Sequence, residues 1–342
     1  MKGGGKGKGK GKGQGGRGLR VVSSALRVAI LDDYQDVALA MADWASLGQD
    51  VSVQAFRHPL GSEDAIAERL RDFDIIVAMR ERTPFPASLL ARLPSLKLLI
   101  TTGRRNAAID LKAAAARGVP VSGTGTTPMP PVELTWGLIL ALARNIPEEA
   151  ASMRHGTWQT TIGVGLHGKT LGVIGLGRLG SEVARIGKAF GMNVVAWSQN
   201  LTSETTGPLG VELVDKGTLF RRADVVTIHV VLSARTRHLV GEGEFGAMKP
   251  SAFLVNTARG PIVDERALLA ALRTRRIAGA GLDVYDEEPL PADHPLRRLD
   301  NVVLTPHLGY VTVENYRVAY ADAVENIRSF LAGTPLRVIQ AQ

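Results

Sequence analysis

The sequence predicts an α/β protein made of two doubly wound parallel-sheet units. Short apolar runs alternate with helix-like segments along most of the chain, a pattern that sets parallel strands between layers of helices. The alternation breaks at residues 122–131, which read SGTGTTPMPP and have loop composition, and then resumes. A glycine turn, Gly175-Leu176-Gly177-Arg178-Leu179-Gly180, stands near the head of the second series rather than at the start of the chain.

Residues 1–22 alternate Gly and Lys and offer almost nothing to bury. Glycine loses the most backbone freedom on ordering, so this stretch is expected to be a disordered tail. The first series then runs as a strand at 27–31, a helical stretch at 38–44, a strand at 51–53, a helix near 62–71 and a strand at 74–78. A helix near 86–92 precedes a strand at 96–100, and a helix near 108–117 precedes a strand at 119–121. Beyond the loop an apolar helix is expected over 132–144. The second series opens with a strand at 170–174 and a helix from 178 to about 190. Strands follow at 193–197, 225–229, 253–256, 279–283 and 302–305, and a helix over 312–332 closes the series.

Composition narrows the class. The 342 residues give room for about two domains, and 45% hydrophobic with 22% charged residues is ordinary for a soluble globular protein. There is no cysteine, which excludes disulfides, thiolate nucleophiles and Cys-ligated zinc; no metal site is assigned. The same absence suits a reducing cytoplasm, the expected location. The longest apolar run, 134–143, is far short of the ~20 residues that cross a bilayer, so no membrane partner is expected. The net charge of +8 belongs mostly to the tail: residues 1–20 hold seven Lys and Arg and no acid, leaving +1 for the rest. Such a tail is compatible with nucleic-acid contact, but a solubilising extension is the simpler reading. It lacks the apolar segment of a secretory signal.

Gly175, Gly177 and Gly180 form G-x-G-x-x-G between an expected strand and helix, the context in which this spacing marks a dinucleotide site. The first glycine permits the tight turn, the second lets the backbone approach a pyrophosphate, and the third lets helix and strand pack closely. The helix opening, at Arg178 and Leu179, then offers free N–H groups to phosphate. A glycine-rich turn in another α/β protein would share the spacing alone. The next strand ends at Ser198, where Asp or Glu would bind the ribose 2′-hydroxyl of NAD and a neighbouring Arg would suit the 2′-phosphate of NADP. Neither stands at 198–202, so NAD is expected and NADP stays open.

Three ionisable residues fall just beyond later strands: Arg259 in NTARG, Glu288 in GLDVYDEEP and His307 in TPHLG. In an open parallel sheet ligands bind beyond the carboxyl ends of the strands. A guanidinium can grip a carboxylate with two prongs, a histidine can give a proton to a developing alkoxide, and a carboxylate can orient that histidine. Singly, each has a plainer reading: Arg259 as a phosphate ligand, Glu288 as a cap before Pro289, His307 as a satisfied loop histidine. Together, behind a dinucleotide turn, they fit the chemistry of a 2-oxo acid.

On LHGKTLGVIGLGRLG, NTARG, GLDVYDEEP and TPHLG, residues 26–335 resemble the D-isomer-specific 2-hydroxyacid dehydrogenases, a family that includes phosphoglycerate dehydrogenases, glyoxylate/hydroxypyruvate reductases and D-lactate dehydrogenases. The resemblance implies two Rossmann-like domains. A flavodoxin-like substrate domain takes residues 23–124 plus 312–342, and an NAD(P)-binding domain is inserted at 125–311. It implies that Arg259 binds the substrate carboxylate, Glu288 assists the histidine, His307 is the acid/base and Asp283 contacts the nicotinamide end. Val231, Thr236, Thr257, Ala258 and Gly309 join the cofactor contacts on the same ground. The apolar helix 132–144 would cross between domains and support a homodimer.

Two earlier stretches match the family's substrate loops. Residues 78–83, with Arg80 and Glu81, resemble a loop that turns an Arg toward the substrate. Residues 102–110 resemble the glycine loop whose backbone N–H groups hold the carboxylate. Arg104 and Arg105 stand where small residues are usual, which leaves open a phosphorylated or dicarboxylic substrate or, equally, solvated arginines. The turn Val230-Val231-Leu232-Ser233 lacks the usual proline, and with the chain ending at Gln342 no additional regulatory domain is expected. The expected function is an NAD(P)-dependent dehydrogenase acting on a small 2-hydroxy/2-oxo acid of the 3-phosphoglycerate, glyoxylate or hydroxypyruvate class. The alternative is an NAD-sensing scaffold of the carboxyl-terminal-binding corepressor type, in which the same three residues are kept.

Overall fold

The computed structural model describes residues 25–341, and within them the chain forms two sheets whose strands are all parallel. The expected tail at 1–22 lies outside the described residues. The first sheet holds β1 (Leu26–Ile30), β2 (Val51–Ala55), β3 (Ile75–Ala78), β4 (Leu98–Thr101) and β5 (Val121–Ser122), in the order β2-β1-β3-β4-β5. The second holds β6 (Thr170–Ile174), β7 (Asn193–Trp197), β8 (Glu212–Leu213), β9 (Val225–Ile228), β10 (Phe253–Asn256), β11 (Gly279–Leu282) and β12 (Val302–Leu304), in the order β12-β11-β10-β9-β6-β7-β8. The first order is that of flavodoxin-like sheets, and the second runs outward both ways from β6 as in Rossmann sheets. β3 and β4 read IIVA and LLIT and are buried at every residue, as parallel strands covered on both faces must be.

The chain leaves the first sheet after β5 and returns to it after β12. The helix Met129–Ala143 packs Val132, Trp136, Ile139 and Leu142 against Leu171, Val173, Val225 and Val255 of the second sheet. The helix Val313–Leu331 lays Tyr316, Tyr320, Ala323 and Ile327 on Val28, Ile30, Val77 and Ile100 of the first. Residues beyond that helix follow β5: Ser122 bridges Val338 antiparallel, and Ile339 N donates to Val121 O at 2.7 Å.

The expected helix at 38–44 is instead two short 3-10 turns, Ala38–Ala40 and Trp44–Leu47. Aspartates compete for the backbone there. Asp33 accepts from Val37 N and Ala38 N, both at 3.0 Å, and Asp43 accepts from Ser46 N at 3.2 Å, so local side-chain bonds replace a helical ladder. A helix at Ile146–Arg154, absent from the sequence reading, follows Asn145, whose left-handed φ of +49° turns the chain before Pro147 restarts it.

Candidate active site

The glycine turn leaves β6 where the order of the second sheet reverses: Ile174 pairs with Trp197 on one side and Ile228 on the other. Its three glycines are needed for three different reasons. Gly175 has φ +93°, and a Cβ there would stand 2.8 Å from His229 O. At Gly180 a Cβ would fall 1.9 Å from Gly175 O, so no side chain fits between helix and strand. At Gly177 a Cβ would meet nothing within 4 Å: the space beside it is open. The helix Arg178–Ala189 that follows has no side-chain cap at its N-terminus and no acid in its first turn. Open space over uncapped N–H groups suits a pyrophosphate. Gly180→Ala is therefore expected to cost about 2–3 kcal/mol of stability by forcing backbone apart, whereas Gly177→Ala should keep the wild-type melting temperature and weaken NADH binding. Thermal melts beside NADH fluorescence titrations check the contrast.

Around this turn, Ser198 follows the end of β7, half-buried. Thr236 Oγ1 donates to Val231 O at 2.6 Å and accepts from Ser233 N at 2.8 Å, closing a turn on which Val231 is 84% exposed. Thr257 Oγ1 lies 2.8 Å from Thr135 Oγ1 on the helix Met129–Ala143, and Ala258 N donates to Asn256 Oδ1 at 3.0 Å.

Arg259, Glu288 and His307 follow β10, β11 and β12, so adjacent strands deliver them to one end of the sheet. His307 Nδ1 and Glu288 Oε2 are 2.6 Å apart, and Glu288 Oε1 accepts from Tyr285 N at 3.0 Å. With Nδ1 engaged, Nε2 is the imidazole nitrogen left for chemistry. Burial opposes ionisation of Glu288, but the hydrogen bond and charge of His307, with Arg259 nearby, hold its carboxyl below the usual range. Asp283, fully buried, clasps the loop that carries the histidine: its oxygens accept from Thr305 Oγ1 at 2.7 Å, Leu308 N at 2.7 Å and Gly309 N at 2.9 Å. Burial pushes the Asp283 carboxyl up, against the pull of those three bonds.

The first sheet supplies the opposite wall. Arg259 Nη2 donates across the gap to Glu81 Oε1 at 3.0 Å, and Nη1 donates to Ala258 O at 2.8 Å. Arg80 and His307 each have φ +53°, a left-handed conformation that glycine and, less freely, asparagine adopt and that costs most other residues. Arg104 and Arg105 are exposed, and neither pairs with Glu81 among the described residues. The Gly103 N–H donates to Thr124 Oγ1 at 2.8 Å.

The structure also brings in residues the sequence reading passed over. Tyr310 is buried, edge-on to His307 with ring centroids 5.4 Å apart, and both Arg80 and Arg82 lie over its ring. Arg82 Nη1 donates to Asp32 O at 3.0 Å, and the Asp32 carboxylate accepts from Thr83 Oγ1 at 2.7 Å. A cleft of about 450 Å³ opens between Asp32, Arg82 and Thr83 on one side and Glu288, Leu290 and His307 on the other. Tyr310 stands three residues after His307, so the TPHLG motif itself pointed to it.

Residues 136–309 match the family model described as D-isomer specific 2-hydroxyacid dehydrogenase, NAD binding domain. The chain belongs to this family. It is 41% identical over 276 residues to a D-3-phosphoglycerate dehydrogenase of Methanocaldococcus jannaschii, an alignment covering 80% of this chain and 52% of that protein. It is 42% identical over 255 residues to a glyoxylate reductase of Aeropyrum pernix, covering 72% of this chain and 76% of the relative. The chain thus spans about half the length of the first relative and about three quarters of the second. A crystal structure of phosphoglycerate oxidoreductase from Vibrio cholerae superposes with a TM-score of 0.86 at 36% identity, covering 90% of this chain and 100% of that one. Within the family frame, the described residues include no group of three or more His, Asp and Glu placed to hold a metal ion and no helix long and apolar enough to cross a membrane.

Proposed function

We propose that the chain is an NAD-dependent dehydrogenase that interconverts a small 2-hydroxy acid and its 2-oxo acid, of the 3-phosphoglycerate, glyoxylate or hydroxypyruvate class. The observation that carries this reading is the 2.6 Å pair of His307 and Glu288, with Arg259 close enough to act on the same carboxylate. Arg259 binds the substrate carboxylate and, by its charge, polarises the adjacent carbonyl. His307 Nε2 delivers a proton to the carbonyl oxygen in reduction and removes it in oxidation. Glu288 fixes the imidazole through Nδ1 and balances the charge it gains. A bound nicotinamide supplies or accepts the hydride at C2. Gly175, Gly177, Gly180 and the opening of the helix Arg178–Ala189 would hold the pyrophosphate of that cofactor, with Ser198, Val231, Thr236, Thr257 and Ala258 around it. Asp283 and Gly309 shape the nicotinamide end through the loop they hold in common.

In this reading residues 23–124 and 312–342 form the substrate domain and 125–311 the cofactor domain, and closure between them excludes water. NAD is preferred on the absence of any Arg at 198–202. A homodimer is supported by an apolar strip with no cover among the described residues: Trp158 is 73% exposed and Ile162 95%, beside exposed Ile146 and Met153. The absence of cysteine fits a cytoplasmic setting.

The test is a turnover screen of glyoxylate, hydroxypyruvate, pyruvate and phosphohydroxypyruvate against NADH and NADPH. Turnover of at least one acid, faster with NADH, is expected. Tight NADH binding without turnover of any acid would overturn the reading in favour of the scaffold alternative, which the enzyme names of the relatives do not support.

A further inference from the structure

Two guanidinium groups converge on one carboxylate at the gap between the sheets. Glu81 Oε1 accepts from Arg259 Nη2 at 3.0 Å, and Glu81 Oε2 lies 3.7 Å from Arg80 Nε. That second contact is an ion pair without a hydrogen bond: Glu81 Oε2 and Arg80 Nε are both buried, and neither has a hydrogen-bond partner among the described residues. Burial opposes the charge on Glu81, but Arg259 and Arg80 outweigh it and hold the carboxyl below its usual range. The three groups therefore carry a single surplus positive charge. Arg80 is fixed in this arrangement. Its N–H donates to Thr102 Oγ1 at 3.0 Å, Asn106 Nδ2 donates to its carbonyl, and its guanidinium sits where a Cβ on Gly103 would come within 2.7 Å of Nη1.

Building on the dehydrogenase reading above, we propose that Glu81 restricts the site to singly charged 2-oxo acids. A monoanion such as hydroxypyruvate or glyoxylate balances the surplus. A phosphorylated or dicarboxylic acid brings at least one more negative charge, which the Glu81 carboxylate opposes where it already engages both Arg259 and Arg80. Arg104 and Arg105 do not alter this balance, because they are exposed and screened by solvent. Arg104 and Arg105 are then solvated side chains, and the selection falls on Glu81.

Glu81→Gln keeps the shape and removes the charge. Oxamate, with one negative charge, and oxalate, with two, are titrated calorimetrically into the NADH-saturated wild-type protein and the variant. The ratio of kcat/KM for hydroxypyruvate over phosphohydroxypyruvate is measured beside them. Wild type should prefer the monoanion in both assays, and the preference should fall by about tenfold or more in Glu81→Gln. Glu81→Asp, which retains the charge, should keep the preference even where affinity drops, whereas a merely structural role would change both ligands alike in both variants. Wild type preferring oxalate or phosphohydroxypyruvate would overturn the proposal, even if the glutamine variant failed to fold; so would an unchanged preference in a folded Glu81→Gln. The binding arm needs no turnover. Selective binding without catalysis would sink the dehydrogenase reading and leave the role of Glu81 standing.

Discussion

Replacing His307 by alanine is expected to lower kcat by a factor of about 10²–10⁴, the range over which a positioned proton donor contributes. The loss should fall on turnover rather than on cofactor binding. The histidine follows β12, and its loop is tied down by Asp283 through Thr305, Leu308 and Gly309, none of which depends on the imidazole. The loop should therefore keep its course in the variant, with Glu288 still held by Tyr285 N. Steady-state rates at saturating NADH, beside NADH affinity from fluorescence quenching, make the comparison. A variant that turns over at near the wild-type rate would remove His307 from the mechanism.

Arg259→Lys is expected to lower kcat/KM by about 10²–10³, although the charge is kept. A lysine ammonium is a point charge without the planar fork, and here the fork has more than one task. Nη1 holds Ala258 O and Nη2 holds Glu81 Oε1, and in the proposed mechanism the guanidinium must grip the substrate carboxylate as well. Arg259→Ala should act more broadly. It leaves Glu81, a largely buried carboxylate, with Arg80 alone at 3.7 Å, so lower thermal stability should accompany the kinetic loss. Kinetics and melting curves on both variants separate the two effects. A lysine variant as active as wild type would show that charge, rather than two-pronged geometry, is what the site requires.

Much of the second sheet was legible because its signals are local. The strands at 170–174, 193–197 and 253–256 are apolar runs with a single polar residue at one end, and their limits match those of β6, β7 and β10. The order of the glycines in G-x-G-x-x-G was legible for the same reason, since each answers to a clash or an opening within a few residues or one strand away. The segment at 38–44 was not, because its apolar residues have helical spacing while the aspartates flanking them capture the backbone. The cross-gap contacts were illegible in a different way. Glu81 and Arg259 are far apart in sequence, and no periodicity or motif spacing encodes that a carboxylate from one sheet will meet a guanidinium from the other. Arg104 and Arg105 show the converse: in sequence they read equally as substrate ligands or as solvated side chains, and only the fold shows that both stand exposed.

Arg80 and His307 share a backbone conformation that side chains disfavour, one on each wall of the site. Each such residue costs on the order of 1–3 kcal/mol. Selection for thermal endurance alone would therefore favour glycine or asparagine at both positions, the two changes that remove the guanidinium from one wall and the imidazole from the other. Ancestral or laboratory lineages of this chain that gain heat resistance through either position should be read as having traded away its chemistry, and those that keep both must have found their stability elsewhere.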